Sequence, residues 1–117
     1  MTPDVAGLAA TAAVAELERR VIDAAVALGR ALRAGGWMVA TAESCTGGMV
    51  ARALTEIGGS SEWFERGFVT YSNAAKIDLL GVSAATLQAE GAVSEAVARE
   101  MAEGALDHSR SQLALAI

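Results

Sequence analysis

Lysine is almost missing from this chain: eight of its nine basic residues are arginine, and the exception is Lys76. The bias alone goes with an Ala-rich composition. It still sets Lys76 apart, because arginine keeps its proton inside a protein whereas a desolvated lysine can lose it. A single cysteine, Cys45, rules out an internal disulfide and suits a reducing cytoplasm, the expected compartment. The one histidine, His108, and that cysteine make no metal-ligand cluster of useful spacing. No metal and no cofactor are therefore expected. Aromatic bulk is scarce, with two Trp, two Phe and one Tyr. Hydrophobic residues reach 53% and mean hydropathy is +0.36, but much of this is alanine, which adds helix propensity more than core volume. The core must come from Val, Leu and Ile, and it is expected to be small. No stretch reaches the ~20 continuous apolar residues of a membrane span. The Ala-rich N-terminus lacks a basic leader, so no secretion signal is read.

What is present fits one domain of 117 residues. The net charge of −5 is unevenly spread: Arg and acids balance over residues 1–40, and acids dominate from 41 onward. That distribution argues against a nucleic-acid footprint, which needs a basic stripe. A small anionic substrate stays possible where backbone N–H groups bind it locally.

Residues 1–10 read as a flexible tail and 11–117 as the domain. From Thr11, apolar Val14, Leu17, Val21, Ala25, Leu28 and Leu32 recur at helical spacing until Gly35-Gly36. Trp37 to Ala42 reads as a buried strand, Gly47 to Glu56 as a helix, and Glu62 to Glu65 as a helical turn. A second strand is expected over Gly67 to Tyr71, then a helix over Ala74–Leu80 capped by Asn73. Ser83 and Ser94 can cap two further helices, the second ending near His108, and Gln112 to Ile117 reads as a third strand. This alternation predicts an α/β domain, a three-layer α/β/α sandwich with a small, mostly parallel or mixed sheet.

Two segments carry chemistry. Thr41-Ala42-Glu43-Ser44-Cys45-Thr46-Gly47-Gly48 places hydroxyls and free N–H donors on a strand-to-helix turn, beside the positive end of a helix dipole. Such a turn can bind an anion or stabilise a developing oxyanion, and Gly47-Gly48 lets a ligand approach the backbone. A plain helix cap by Ser44 or Thr46 accounts for one hydroxyl but not for the whole segment. Cys45 is a rival nucleophile that needs His108 nearby. The other segment is Tyr71-Ser72-Asn73-Ala74-Ala75-Lys76, where Lys76 sits in the first turn of a helix and opposes its dipole. A Tyr-Lys pair also occurs in short-chain dehydrogenases, but with three intervening residues rather than four and with a Gly-x-Gly-x-x-Gly that this chain lacks.

Taken together, Ala42 to Gly48, Gly67-Phe68-Val69-Thr70-Tyr71-Ser72-Asn73-Ala74-Ala75-Lys76, Leu80-Gly81-Val82 and Gly91-Ala92-Val93-Ser94-Glu95 resemble the C-terminal domain of the CinA (competence/damage-inducible protein) family. That family includes nicotinamide-nucleotide amidohydrolases. The resemblance implies a three-layer α/β fold and hydrolysis of the carboxamide of nicotinamide mononucleotide to nicotinate mononucleotide and ammonia. It implies a Ser-Lys mechanism with Ser44, Lys76 and Tyr71 as catalytic residues. Glu43, Cys45, Thr46, Gly47, Gly48 and Asn73 are then expected around the substrate. Family members continue past the strand matching Leu113–Ile117 into a Ser/Thr-Gly-Ile-Ala-Gly-Pro-type loop and further elements, so this chain matches about the first two-thirds of the domain. A homo-oligomer and weak turnover are expected of it. A non-catalytic pyridine-nucleotide-binding module and an inactive truncated form are the alternative readings.

Overall fold

The computed structural model describes residues 4–117. Helix α1 runs from Val5 to Gly35, and Asp4 caps it by accepting the Gly7 N–H at 2.9 Å. The expected tail over 1–10 is thus helical from Val5 onward, because an Asp cap followed by Ala-rich sequence starts the helix early; residues 1–3 lie outside the described residues. Next come β1 (Val39–Glu43), α2 (Met49–Thr55), a 3₁₀ turn (Ser60–Glu62) and β2 (Phe64–Val69). They are followed by α3 (Asn73–Leu80), α4 (Ala84–Glu90), α5 (Glu95–Asp107) and β3 (Leu113–Ala116). The sheet order is β2-β1-β3, and both pairings are parallel. The sheet is therefore wholly parallel among the described residues.

Side chains alternate across a strand, and β1 divides the molecule accordingly. Ala40 and Ala42 pack with Leu80, Val82, Leu87, Val97, Met101 and Ala105 from the α3–α5 side. Val39 packs on the opposite face with Ala25, Leu32, Leu54 and Trp63 from the α1–α2 side. β3 follows the same rule: Ala114 and Ala116 face α5, while Leu113 and Leu115 face the other cluster. Helices cover both faces of one sheet, as the expected sandwich requires.

The second strand starts earlier than its apolar pattern indicates. Phe64 pairs with Val39, but Arg66 pairs with Ala40, so Glu65 is an extra residue in the ladder. The bulge lets Phe64 face the α1–α2 cluster and Phe68 the α3–α5 cluster, although their even spacing would otherwise put both on one face. The preceding helical turn moves forward too, since the Trp63 carbonyl already accepts the Val39 N–H at 2.7 Å. Ser72, not Asn73, caps α3 by accepting the Ala75 N–H at 3.0 Å; Asn73 is its first helical residue. Ser94 caps α5 as expected, accepting the Val97 N–H. The Ser83 side chain makes no cap bond to α4; its backbone N–H donates to Glu100 instead.

Half of α1 stays outside the core. Ala25, Gly29 and Leu32 are buried, but Val14, Leu17 and Val21, which the helical periodicity assigns to the same stripe, are exposed.

Candidate active site

β1 ends at Glu43, and the turn into α2 carries Ser44 to Gly48. The turn depends on two left-handed glycines, Gly47 at φ 61° and Gly48 at φ 108°, a region costly for residues with a Cβ. Glu43 is fully buried. Its carboxylate accepts the Thr46 hydroxyl at 2.6 Å, the Val50 N–H at 2.8 Å and the Ala51 N–H at 3.0 Å. Burial pushes this carboxyl's pKa up, but the Thr46 hydroxyl and the N–H groups of Val50, Ala51 and Gly48 more than reverse that, and the net shift is downward. Glu43 thus clamps the turn onto the start of α2 and occupies the Val50 and Ala51 N–H groups there, leaving those of the turn itself.

Glu43 points to the α2 side of the sheet, so Ser44 falls on the α3–α5 side. Its N–H donates to the Ile117 carbonyl at 2.7 Å. Ser44 lines a cleft of about 370 Å³ together with Cys45, Ala92, Val93, Ser94, Glu95, Ala98, Met101 and Ile117. The walls are mainly apolar and carry no basic side chain. The N–H groups of Cys45, Thr46 and Gly47 find no protein acceptor among the described residues. Cys45 is an exposed free thiol at the mouth. His108 caps the far end of α5, seven residues or about 10 Å beyond Met101, and does not line the cleft; its carbonyl accepts from Arg66 near the start of β2, away from the strand ends that carry Ser44. No Cys45-His108 pair is formed.

Lys76 is 2% exposed, deep on α3. Its amine donates to the Tyr71 carbonyl at 2.9 Å and pairs with no carboxylate among the described residues. It shares the α3 face of Leu80, four residues on, which belongs to the cluster that Ala42 joins. Ser44 and Lys76 therefore lie on one face of the sheet, on segments that follow the C-terminal ends of the neighbouring strands β1 and β2. They are not hydrogen-bonded to each other, and Lys76 does not line the cleft. The Tyr71 side chain is 80% exposed, so its tie to Lys76 runs through the main chain. Asn73 is exposed and Thr46 half-buried. Ala92 to Glu95, part of a motif to which the sequence assigns no role, line the cleft with Ser44. No group of His, Cys, Asp and Glu suited to holding a metal occurs among the described residues, and no described helix is long and apolar enough to cross a membrane.

The chain is 56% identical over 100 residues to the nicotinamide-nucleotide amidohydrolase PncC of Enterobacter agglomerans, covering 86% of this chain and 61% of that protein. Against PncC of Escherichia coli K12 it is 59% identical over 90 residues, covering 77% of this chain and 54% of the relative. It thus spans little more than half the length of these curated relatives. Among solved structures it is similar to the competence/damage inducible protein CihA of Agrobacterium tumefaciens, with TM-score 0.72 and 53% identity, covering 86% of this chain and 57% of that one. A competence damage-inducible protein A from Klebsiella pneumoniae gives TM-score 0.80 at 41% identity, covering 82% and 60%. The model of the CinA C-terminal domain matches residues 22–117, and with that match, the parallel sheet and the Ser44 turn, the chain belongs to the CinA C-terminal domain family.

Proposed function

We propose that this chain hydrolyses the carboxamide of nicotinamide mononucleotide, or a related pyridine nucleotide, through Ser44 and Lys76. The observation that carries the reading is the placement of Ser44 in an apolar cleft, on the same sheet face and at the same C-terminal end of the strands as the buried Lys76. An apolar cleft of about 370 Å³ suits a flat pyridine ring. Neutral Lys76 takes the hydroxyl proton as Ser44 Oγ attacks the carboxamide carbon. The amine then returns that proton to the departing nitrogen, which leaves as ammonia, and water releases the acid from the Ser44 ester. The Ser44 N–H already serves Ile117, so the oxyanion falls to the N–H groups of Cys45, Thr46 and Gly47. Glu43 positions these donors rather than touching substrate, and Tyr71 acts through its carbonyl. The exposed Val14, Leu17 and Val21 on α1 support a homo-oligomer of this chain.

The test is ammonia release from nicotinamide mononucleotide. The chain should turn over at or below ~1 per second, the low end of the enzyme range. Ser44→Ala should lower this by about 10³-fold or more, as loss of a covalent nucleophile does. Cys45→Ala and Tyr71→Phe should keep most of it. Lys76→Arg should be as inactive as Lys76→Ala, since arginine cannot take the proton. Turnover that survives in Ser44→Ala, or that is lost in Cys45→Ala, defeats the assignment.

A further inference from the structure

Val93 is 85% exposed, more than any other large hydrophobic side chain among the described residues. A single exposed apolar residue needs no explanation by itself. Val93, however, lines the same open cleft as Ser44, together with Ala92, Ala98 and Met101. The segment that carries it is fixed at both ends. Gly91 ends α4 at φ 82°, and its N–H donates to the Leu87 carbonyl at 3.0 Å. The Ser94 hydroxyl donates to the Gly91 carbonyl at 2.8 Å and accepts the Val97 N–H at 3.2 Å, and Val97 is fully buried. Ala92 and Val93 are thus the tip of a short closed loop between α4 and α5. The isopropyl group stands open to water while its backbone is held, so a ligand can cover it without ordering the loop first.

We propose that Val93 is a substrate-binding residue: its isopropyl group packs on the face of the aromatic ring whose carboxamide Ser44 attacks. The inference rests on the amidohydrolase reading for the identity of that ring. The cleft offers the ring apolar walls and no basic side chain. Burial of apolar surface, rather than charge, therefore holds the ring there. Val93 touches no reacting atom. It sets affinity, and the chemistry stays with Ser44 and Lys76. A contact of this kind is as strong in the ground state as in the transition state, so its loss falls on KM and not on kcat.

Val93→Ser removes the apolar surface, and Val93→Ile keeps it. Val93→Ser should raise KM for nicotinamide mononucleotide by about tenfold, with kcat within about twofold. Val93→Ile should stay within about threefold of the wild type in KM. Neither should move the melting temperature, because the side chain is exposed. The contact also has a readout that needs no turnover. A methyl group on the face of an aromatic ring is shifted upfield by the ring current. The ¹³C-labelled Val93 methyl signals, identified by their loss in Val93→Ile, should move upfield with nicotinate mononucleotide and hold still with ribose phosphate. An unchanged KM in Val93→Ser, an equal rise in Val93→Ile, or methyl signals that respond alike to the two probes overturns the proposal. A wild-type chain without ammonia release removes the amidohydrolase reading instead. The methyl signals then decide the ring contact alone: an upfield shift with nicotinate mononucleotide upholds it, and its absence overturns it.

Discussion

At the scale of single residues, the turn at Ser44 is held by a neighbour that does no chemistry. Removing the Glu43 carboxylate leaves the Val50 and Ala51 N–H groups and the Thr46 hydroxyl without an acceptor in a buried place. Glu43→Ala should cost about 2–4 kcal/mol in urea unfolding near neutral pH. The pH dependence has a definite sign. The Glu43 carboxyl is held below its ordinary 4.5 in the folded chain, so its stabilisation is full above that value and is lost as pH falls through the lower folded value. Glu43→Gln should flatten that acid limb, leaving what Glu65 and Glu100, also lowered, contribute. An unchanged acid limb would show that the clamp is not the source. The Glu-Ser-Cys-Thr-Gly-Gly run made the turn legible in the sequence. The job of Glu43 was not, because it depends on which face a side chain takes at the end of a strand.

At the scale of elements, the order of helices and strands could be read from periodicity, and both Ser94 and the Gly35-Gly36 stop lie where their chemistry puts them. The start of β2 could not. The bulge at Glu65 breaks the two-residue period that would have announced Phe64. Helix packing also hides in the sequence. Gly104 on α5 looks like a weak point in a helix, yet a Cβ there would run into the Leu80 carbonyl of α3. The two helices meet backbone to side because that position is bare. Gly104→Ala should therefore destabilise by about 3 kcal/mol, through forced displacement of α3, despite its gain in helix propensity. Gly58→Ala, with open space around it, is the control and should be near neutral. Equal urea midpoints for the two variants would contradict the close packing of α3 on α5.

The molecule as a whole is less compact than its length allows. Its radius of gyration is 17.0 Å, against about 13 Å for a globular domain of about 100 residues. The first half of α1 projects beyond the sandwich and carries Val14, Leu17 and Val21 in the open. Acidic and basic residues balance over 1–40, while the remainder is acidic, so this helix is where two copies can approach with least repulsion. Light scattering on a sizing column should show a dimer or larger species, and Leu17→Glu with Val21→Glu should reduce it to monomer. A wild-type monomer at all concentrations would exclude self-association through α1.

The strand order β2-β1-β3 also governs when the sheet can exist at all. β1 is central, and its partner β3 is separated from it by residues 44–112. A chain emerging from the ribosome can form α1 and join β1 to β2 early, yet one side of β1 stays unpaired until Leu113–Ala116 arrives. The sheet is therefore completed in a late step that links distant segments, the kind of non-local pairing that makes parallel sheets slow to form. Until then the Ser44 turn lacks the Ile117 carbonyl that fixes its first N–H, so the candidate nucleophile is set in place only once β3 has docked.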